Sequence, residues 1–183
     1  MSPVMRYLIV SDIHGSWPRL QQVLSHFDEM KMDMLLILGD ILNYGPRNGV
    51  PEGLNAPAIA EALNKLSDKI VAIRGNCDSE VDQMLLQFPI LGDYTVVVDN
   101  GKKLFLTHGH KYNENNMPSL HCDAFLYGHT HLWKLEKVDG VTICNTGSIT
   151  FPKGGNQPTF ATLTDGTLRV HTLDGNVIKK MEI

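Results

Sequence analysis

Cysteine is scarce in this chain. Cys77, Cys122 and Cys144 are the only three among 183 residues, with no Cys-x-x-Cys pair, which excludes a disulfide framework and a thiolate zinc site. A reducing, cytoplasmic setting is expected. Long apolar runs are missing too. Residues 34–38 form the longest strongly apolar stretch, far short of the ~20 residues of a membrane-spanning helix, so no membrane association is expected. The first residues show no basic leader and no small-residue cleavage site after an apolar core, and no export signal is read from them. Nor is positive charge concentrated anywhere. Sixteen Lys+Arg against twenty Asp+Glu give a net charge of -4 with no dense basic cluster, so nucleic acid is not an expected partner.

What is present is an ordinary globular composition, with 43% hydrophobic and 20% charged residues, 16 Gly and 9 Pro. One domain over residues 1–183 is expected, because two halves of this length would each struggle to bury a core. The sequence leaves a homo-oligomer open.

The first half alternates short apolar runs with helical periodicity, the pattern of βαβ units in a largely parallel sheet. Residues 7–10, 34–38 and 70–73 read as strands. Pro18 suits a first helical turn, and Leu20, Val23, Leu24 and Phe27 recur at helical spacing up to about Met30. Residues 57–66 and 81–86 read as two further helices. The second half changes character. Asp99-Asn100-Gly101, Asp139-Gly140, Asp165-Gly166 and Asp174-Gly175 are turn sequences that accept positive φ, which predicts hairpins. Residues 43–57, rich in Gly, Pro and Asn, form an irregular loop long enough to serve as a lid.

Five polar clusters each follow a predicted strand: Asp12-Ile13-His14, Gly39-Asp40, Gly75-Asn76-Cys77-Asp78, Thr107-His108-Gly109-His110 and Gly128-His129-Thr130-His131. In open α/β sheets ligands bind at the C-terminal ends of the strands, so these loops are expected to converge on one crevice. Carboxylate, amide and imidazole without thiolate suit Mn, Fe, Zn, Co or Ni better than Mg or Ca. There are more donors than one ion can use, and a carboxylate can bridge two ions ~3.5–4 Å apart, so a binuclear centre is predicted.

Each cluster alone has an ordinary reading as a turn or helix cap. Five strand ends sharing ligand-type residues is what the ordinary reading fails to explain. His26, His121 and His171 are read as structural, and His110 as a neighbour of the donors. Asp78 is expected to orient a ligand imidazole.

In this order, Asp12-x-His14, Gly39-Asp40, Gly75-Asn76-Cys77-Asp78, His108 and Gly128-His129-x-His131 resemble the motifs of the calcineurin-like metallophosphoesterase superfamily, over roughly residues 5–150. Chain length, Gly-Pro-Arg at 45–47 and residues 74–86 and 152–156 are similar to its small bacterial phosphodiesterases of the YfcE type. The resemblance implies a four-layer α/β sandwich of two mixed β-sheets flanked by helices, with metals at one edge. It implies that Asp12, His14 and His131 hold one ion, that Asn76, His108 and His129 hold the other, and that Asp40 bridges them. The cofactors would be two divalent transition-metal ions, Mn2+ foremost, with Fe, Zn, Co or Ni as substitutes.

The activity so implied is a metal-dependent phosphodiesterase, in which hydroxide activated by the binuclear centre attacks phosphorus in a small phosphate ester. Asp40, Asn76, His108 and Cys77 would lie at the catalytic centre. Cys77 stands where the superfamily motif commonly has a histidine able to protonate a leaving group. Asn43, Arg47 and Lys153 are candidates to bind substrate, with solvated surface charge as the competing reading for the two cations. A phosphomonoesterase or nuclease of the same superfamily stays open, as does a non-catalytic binding scaffold on the same fold.

Overall fold

The computed structural model describes residues 4–183. From the N-terminus the chain forms β1 (Arg6–Val10), α1 (Trp17–Glu29), β2 (Met34–Ile37), α2 (Ala56–Asn64), β3 (Ile70–Ala72) and α3 (Glu80–Leu85). It continues through β4 (Tyr94–Asp99), β5 (Lys102–Thr107), β6 (Ala124–Tyr127), β7 (Lys134–Val138), β8 (Val141–Asn145), β9 (Thr159–Thr164), β10 (Thr167–Thr172) and β11 (Val177–Glu182). The βαβαβα order read from hydrophobic periodicity is therefore present, with boundaries shifted by a residue or two. Helix α2 stops at Asn64 rather than 66, and a 3-10 turn at Ser67–Lys69 leads into β3.

These strands build two mixed sheets, a six-stranded one in the order β11-β10-β9-β1-β2-β3 and a five-stranded one in the order β4-β5-β6-β8-β7. In the first sheet β1, β2 and β3 run parallel. In the second, β5, β6 and β8 do. The hairpin turns lie where Asn-Gly and Asp-Gly put them. Asn100 and Gly101 have φ of +47° and +79°, and Asp165 and Gly166 have +48° and +68°, the left-handed pair that matches strand twist in a two-residue turn.

Side-chain alternation explains the layering. Leu8 and Val10 of β1, with Leu35 and Ile37 of β2, face α1 and α2, which present Leu20, Val23, Phe27, Ile59 and Leu63. Tyr7, Ile9 and Leu36 face the other way, onto Leu104, Leu106, Ala124 and Leu126 of the second sheet. The opposite alternation of β5 and β6 sends Phe105, Phe125 and Tyr127 to the outer face of that sheet.

The fourth layer is not a helix. Tyr112 and Met117 of the irregular segment between β5 and β6 cover the outer aromatic row, where Phe105 and Phe125 stack with ring centroids 5.3 Å apart. Segment 109–122 has no apolar period to form a helix and lays single side chains over the sheet instead. His26 and His171 serve the fold, as expected. They stack on either side of Phe160 at 5.1 and 4.9 Å, and His26 Nε2 bonds the Leu173 carbonyl at 2.7 Å. No helix among the described residues is long and apolar enough to cross a membrane.

Because Phe125 is fully buried between the second sheet and that cover, Phe125→Ala is expected to lower unfolding stability by ~3–5 kcal/mol. Denaturant titration checks this; a loss under ~1 kcal/mol would mean the cover is not packed.

Candidate metal centre and cleft

The parallel strands of both sheets end at one edge of the molecule. Asp12, Asp40 and Asn76 follow β1, β2 and β3 of the first sheet, and His108, His129 and His131 follow β5 and β6 of the second. Oxygen donors thus come mainly from one sheet and imidazoles from the other, with His14 the exception. Backbone bonds hold the loops in register: Asp12 N–H donates to the Gly39 carbonyl at 3.1 Å, and His14 N–H to that of Asp40 at 2.9 Å.

Three imidazoles are fixed in the same way. Nδ1 of His14 bonds the Asn43 carbonyl at 3.0 Å, Nδ1 of His108 that of Leu38 at 2.7 Å, and Nδ1 of His131 that of Phe151 at 2.7 Å. A carbonyl can only accept, so each Nδ1 carries a hydrogen and each ring turns Nε2 inward, where it offers a lone pair whenever the ring is neutral. Those lone pairs meet other acceptors. His14 Nε2 and His131 Nε2 lie 3.3 Å apart, and they lie 3.4 and 3.1 Å from Asp12 Oδ1. Asp12 is fully buried, and its Oδ1 has no hydrogen-bond partner. Its Oδ2 is held by Ser11 Oγ at 2.7 Å and His129 N–H at 2.8 Å. Acceptors packed around an unpartnered carboxylate oxygen are a donor set that fits a divalent cation.

A second set adjoins it. His108 Nε2 lies 3.3 Å from Asp40 Oδ2 and 3.1 Å from Asn76 Oδ1, and the His129 ring is 5.0 Å from the His108 ring. Asp40 also lies between the two halves, with Oδ2 3.7 Å from His14 Nε2. All seven residues singled out as donors are thus gathered here. His110 lies beside them, its ring 5.4 Å from that of His108.

Asp78 acts differently from the expectation. Its carboxylate bonds no imidazole; it accepts from the backbone N–H groups of Asp40, Ile41 and Gly75 at 2.7, 2.8 and 2.7 Å. It therefore ties the loop after β3 to the loop after β2 and fixes Asp40 through its main chain. The sequence reading also missed a sixth loop. After β8, Ser148 Oγ donates to the Asp12 carbonyl at 2.9 Å, Thr150 Oγ1 to that of Ile13 at 2.7 Å, and Asn145 Nδ2 to that of Gly128 at 2.8 Å. Its signal was available, since Asn145-Thr146-Gly147-Ser148 is another polar cluster after an apolar strand.

The backbone is strained at the same place. Asp12, His14, Asp40, His129 and His131 all have φ between +49° and +65°, a left-handed conformation that costs a non-glycine residue ~1–3 kcal/mol. Close packing of the loops leaves little room. A Cβ at Gly128 would overlap Ser11 Oγ, and one at Gly39 would lie 2.9 Å from His108 Nδ1.

Burial and charge pull the titrating groups in opposite directions. Burial would lower His108, but the Asp12 and Asp40 carboxylates outweigh it and hold its pKa up at about 9. Burial would raise Asp12 and Asp40, yet His108 leads the neighbours that hold both carboxyls below their ordinary range. His129 is pushed down to about 4 by burial and then by the nearby His108 charge.

Four of the seven donors, Asp40, Asn76, His129 and His131, line a cleft of about 680 Å³. Asn43, Arg47 and Lys153, the three substrate-binding candidates, all line it, as does Cys77. The side-chain oxygen of Asn43 is committed to Gly45 N–H at 2.8 Å, which leaves its NH2 group to meet a ligand.

Residues 5–167 match the calcineurin-like phosphoesterase superfamily domain. Phosphodiesterase YfcE of Escherichia coli is 44% identical over 182 residues, which cover 98% of this chain and 99% of that protein. The solved structure of this E. coli phosphoesterase superposes with a TM-score of 0.95, covering 98% of this chain and 100% of that one. Phosphodiesterase MJ0936 of Methanocaldococcus jannaschii is 26% identical over 151 residues, 78% of this chain and 83% of that protein. Vacuolar protein sorting 29 of Cryptosporidium parvum shares the fold at 20% identity and a TM-score of 0.67, over 98% of this chain and 99% of that one.

The raised His108 pKa gives a pH dependence of known sign. The stability that protonated His108 lends the metal-free fold is complete below pH 6.5 and is lost as pH climbs through about 9. A cation must displace that same proton, so metal affinity should rise over the same window. Calorimetry with Mn2+ on chelator-stripped protein checks this, and an affinity flat from pH 6.5 to 9 would contradict it.

Proposed function

This chain belongs to the calcineurin-like phosphoesterase superfamily, and from that premise we propose that it is a phosphodiesterase holding two divalent transition-metal ions, Mn2+ foremost. Its substrates are small phosphate diesters, and residues 1–183 act as one catalytic domain. The observation that carries this reading is the unpartnered, fully buried Asp12 Oδ1 faced by inward-turned imidazole nitrogens, next to a second donor set across Asp40. Asp12, His14 and His131 would hold one ion; Asn76, His108 and His129 would hold the other, with Asp40 shared. Every one of these positions keeps a coordinating side chain, which supports catalysis over a scaffold role. Three free cysteines support a reducing, cytoplasmic setting.

Two such ions supply a water that ionises near neutral pH and positive charge opposite the phosphoryl oxygens. The chain's own groups do the rest. Asp40 sets the relation between the two donor sets, and its backbone is anchored by Asp78. His108 keeps Nε2 directed at the site through its Leu38 bond. The Asn43 amide, Arg47 and Lys153 orient the ester from the cleft walls.

Cys77 is placed beside the donors, its N–H donating to Asp40 Oδ1 at 2.8 Å and its Sγ accepting from Asn76 Nδ2 at 3.3 Å. Burial, followed by the Asp40 charge, pushes its thiol up to about 12. A thiol so held is a weak proton donor and one ionised by nearby cations is none, where an imidazole would supply ~10²–10⁴-fold for a poor leaving group. The site therefore favours leaving groups that need no proton, such as aryl oxides.

Two outcomes follow. Asp40→Asn should cut hydrolysis of aryl diesters by at least ~100-fold and lower bound metal below two ions per chain, since it disturbs both sites at once. Elemental analysis beside a hydrolysis screen on Mn-reconstituted protein checks this, and a variant at wild-type rate would overturn the binuclear reading. Cys77→His should raise rates on alkyl phosphate esters more than on p-nitrophenyl esters. Equal effects on both, with metal content unchanged, would show that position 77 does not govern leaving-group protonation.

A further inference from the structure

Beyond the donors, the cleft wall has a consistent chemistry. Asn43, Asn48 and Thr130 contribute neutral polar groups, Arg47 and Lys153 contribute two cations, and no Phe, Tyr or Trp side chain lines it. Asp40 is its only carboxylate. Neither cation is engaged in an ion pair among the described residues, whereas Lys65, Lys111 and Lys134 each pair with a carboxylate at 2.7–2.8 Å.

The main chain at Lys153 is also fixed, while the residue itself is exposed. Its N–H donates to the His131 carbonyl at 3.0 Å, and its carbonyl accepts Asn156 N–H at 3.2 Å. That carbonyl also accepts Asn156 Nδ2 at 2.9 Å, and Asn156 Oδ1 in turn accepts Trp133 Nε1–H at 3.2 Å. Gly154 and Gly155 close the turn at φ of +67° and +73°. The turn bearing Lys153 is thus pinned, through Trp133 and Asn156, to the same segment that carries His129 and His131.

A diester has one negative charge, at the phosphorus that the donor floor would engage. A flanking aromatic ring finds no aromatic side chain to stack on among the described residues of this cleft. A flanking anion finds two unpaired cations and amide donors in a concave wall, where charge of one sign focuses the field. We propose that the cleft selects phosphodiesters bearing a second anionic group, such as a distal phosphate, held by Arg47 and Lys153, with Asn156 as the positioning residue for Lys153. This rests on the phosphodiesterase reading above.

Two substrates with the same scissile bond test it: thymidine 5′-(p-nitrophenyl phosphate) with and without a 3′-phosphate. On the Mn-loaded full chain the 3′-phosphate should lower KM about tenfold or more, ~1.4 kcal/mol or more of binding. Arg47→Ala and Lys153→Ala should each shrink that preference. Asn156→Ala should shrink it in the wild-type background and have no further effect in the Lys153→Ala background, because the two act as one unit. Equal KM for the two substrates in the wild type would overturn the proposal, and an additive Asn156 effect would overturn its positioning role. A second readout does not need turnover. Calorimetry on metal-stripped protein should show thymidine 3′,5′-bisphosphate binding more tightly than thymidine 5′-monophosphate, with the difference lost in the Arg47→Ala/Lys153→Ala double variant. Equal affinities would overturn the anion site. If neither ester is hydrolysed but the bisphosphate still binds selectively, the phosphodiesterase reading fails and the anion site stands.

Discussion

Three imidazoles that have committed their Nδ1 hydrogens to backbone carbonyls, and so must aim Nε2 lone pairs at a buried carboxylate, are the constraint on which this molecule is organised. Inside a protein such a cluster of acceptors is unfavourable unless a positive charge sits among them. The Asp12 and Asp40 carboxylates draw positive charge to this place, holding the His108 pKa up at about 9 against the effect of burial. The same geometry makes the cluster a ready receiver of cations.

The fold supplies the support. Two sheets pack face to face so that the parallel strands of both end at one edge, where Asp12, His14, Asp40 and Asn76 of the first meet His108, His129 and His131 of the second. Reaching that meeting point forces five of the donor residues into left-handed backbone, against a preference of ~1–3 kcal/mol each. Burial of two large apolar layers offsets this strain, and Asp78, Ser148, Thr150 and Asn145 hold the loops so that they cannot relax out of it. Strain of this kind, held by bonds on every side, keeps the donors in position before any ligand arrives.

Much of this was legible in the sequence, for identifiable reasons. Apolar runs ending in Asp, Asn or His mark strand ends directly, so the five polar clusters and the edge they share could be named from residues, while the choice of seven donors among them came from the family resemblance. Positive-φ turn pairs such as Asn100-Gly101 announced the hairpins. Asp78 was misread because its partners are backbone N–H groups of two other loops, which leave no trace in residue identity. Residues 145–148 were missed because Ser and Thr hydroxyls that bond carbonyls look like ordinary turn residues. The irregular cover on the second sheet left no signal, because its single anchors, Tyr112 and Met117, show no period to read.

The central claim is that the buried acceptors are two adjoining cation sites. Anomalous diffraction from crystals soaked in Mn2+ tests it most directly. The account predicts two peaks, one among Asp12, His14 and His131 and one among Asn76, His108 and His129, with Asp40 reaching both. A single peak, or none at these residues under saturating Mn2+, would contradict it.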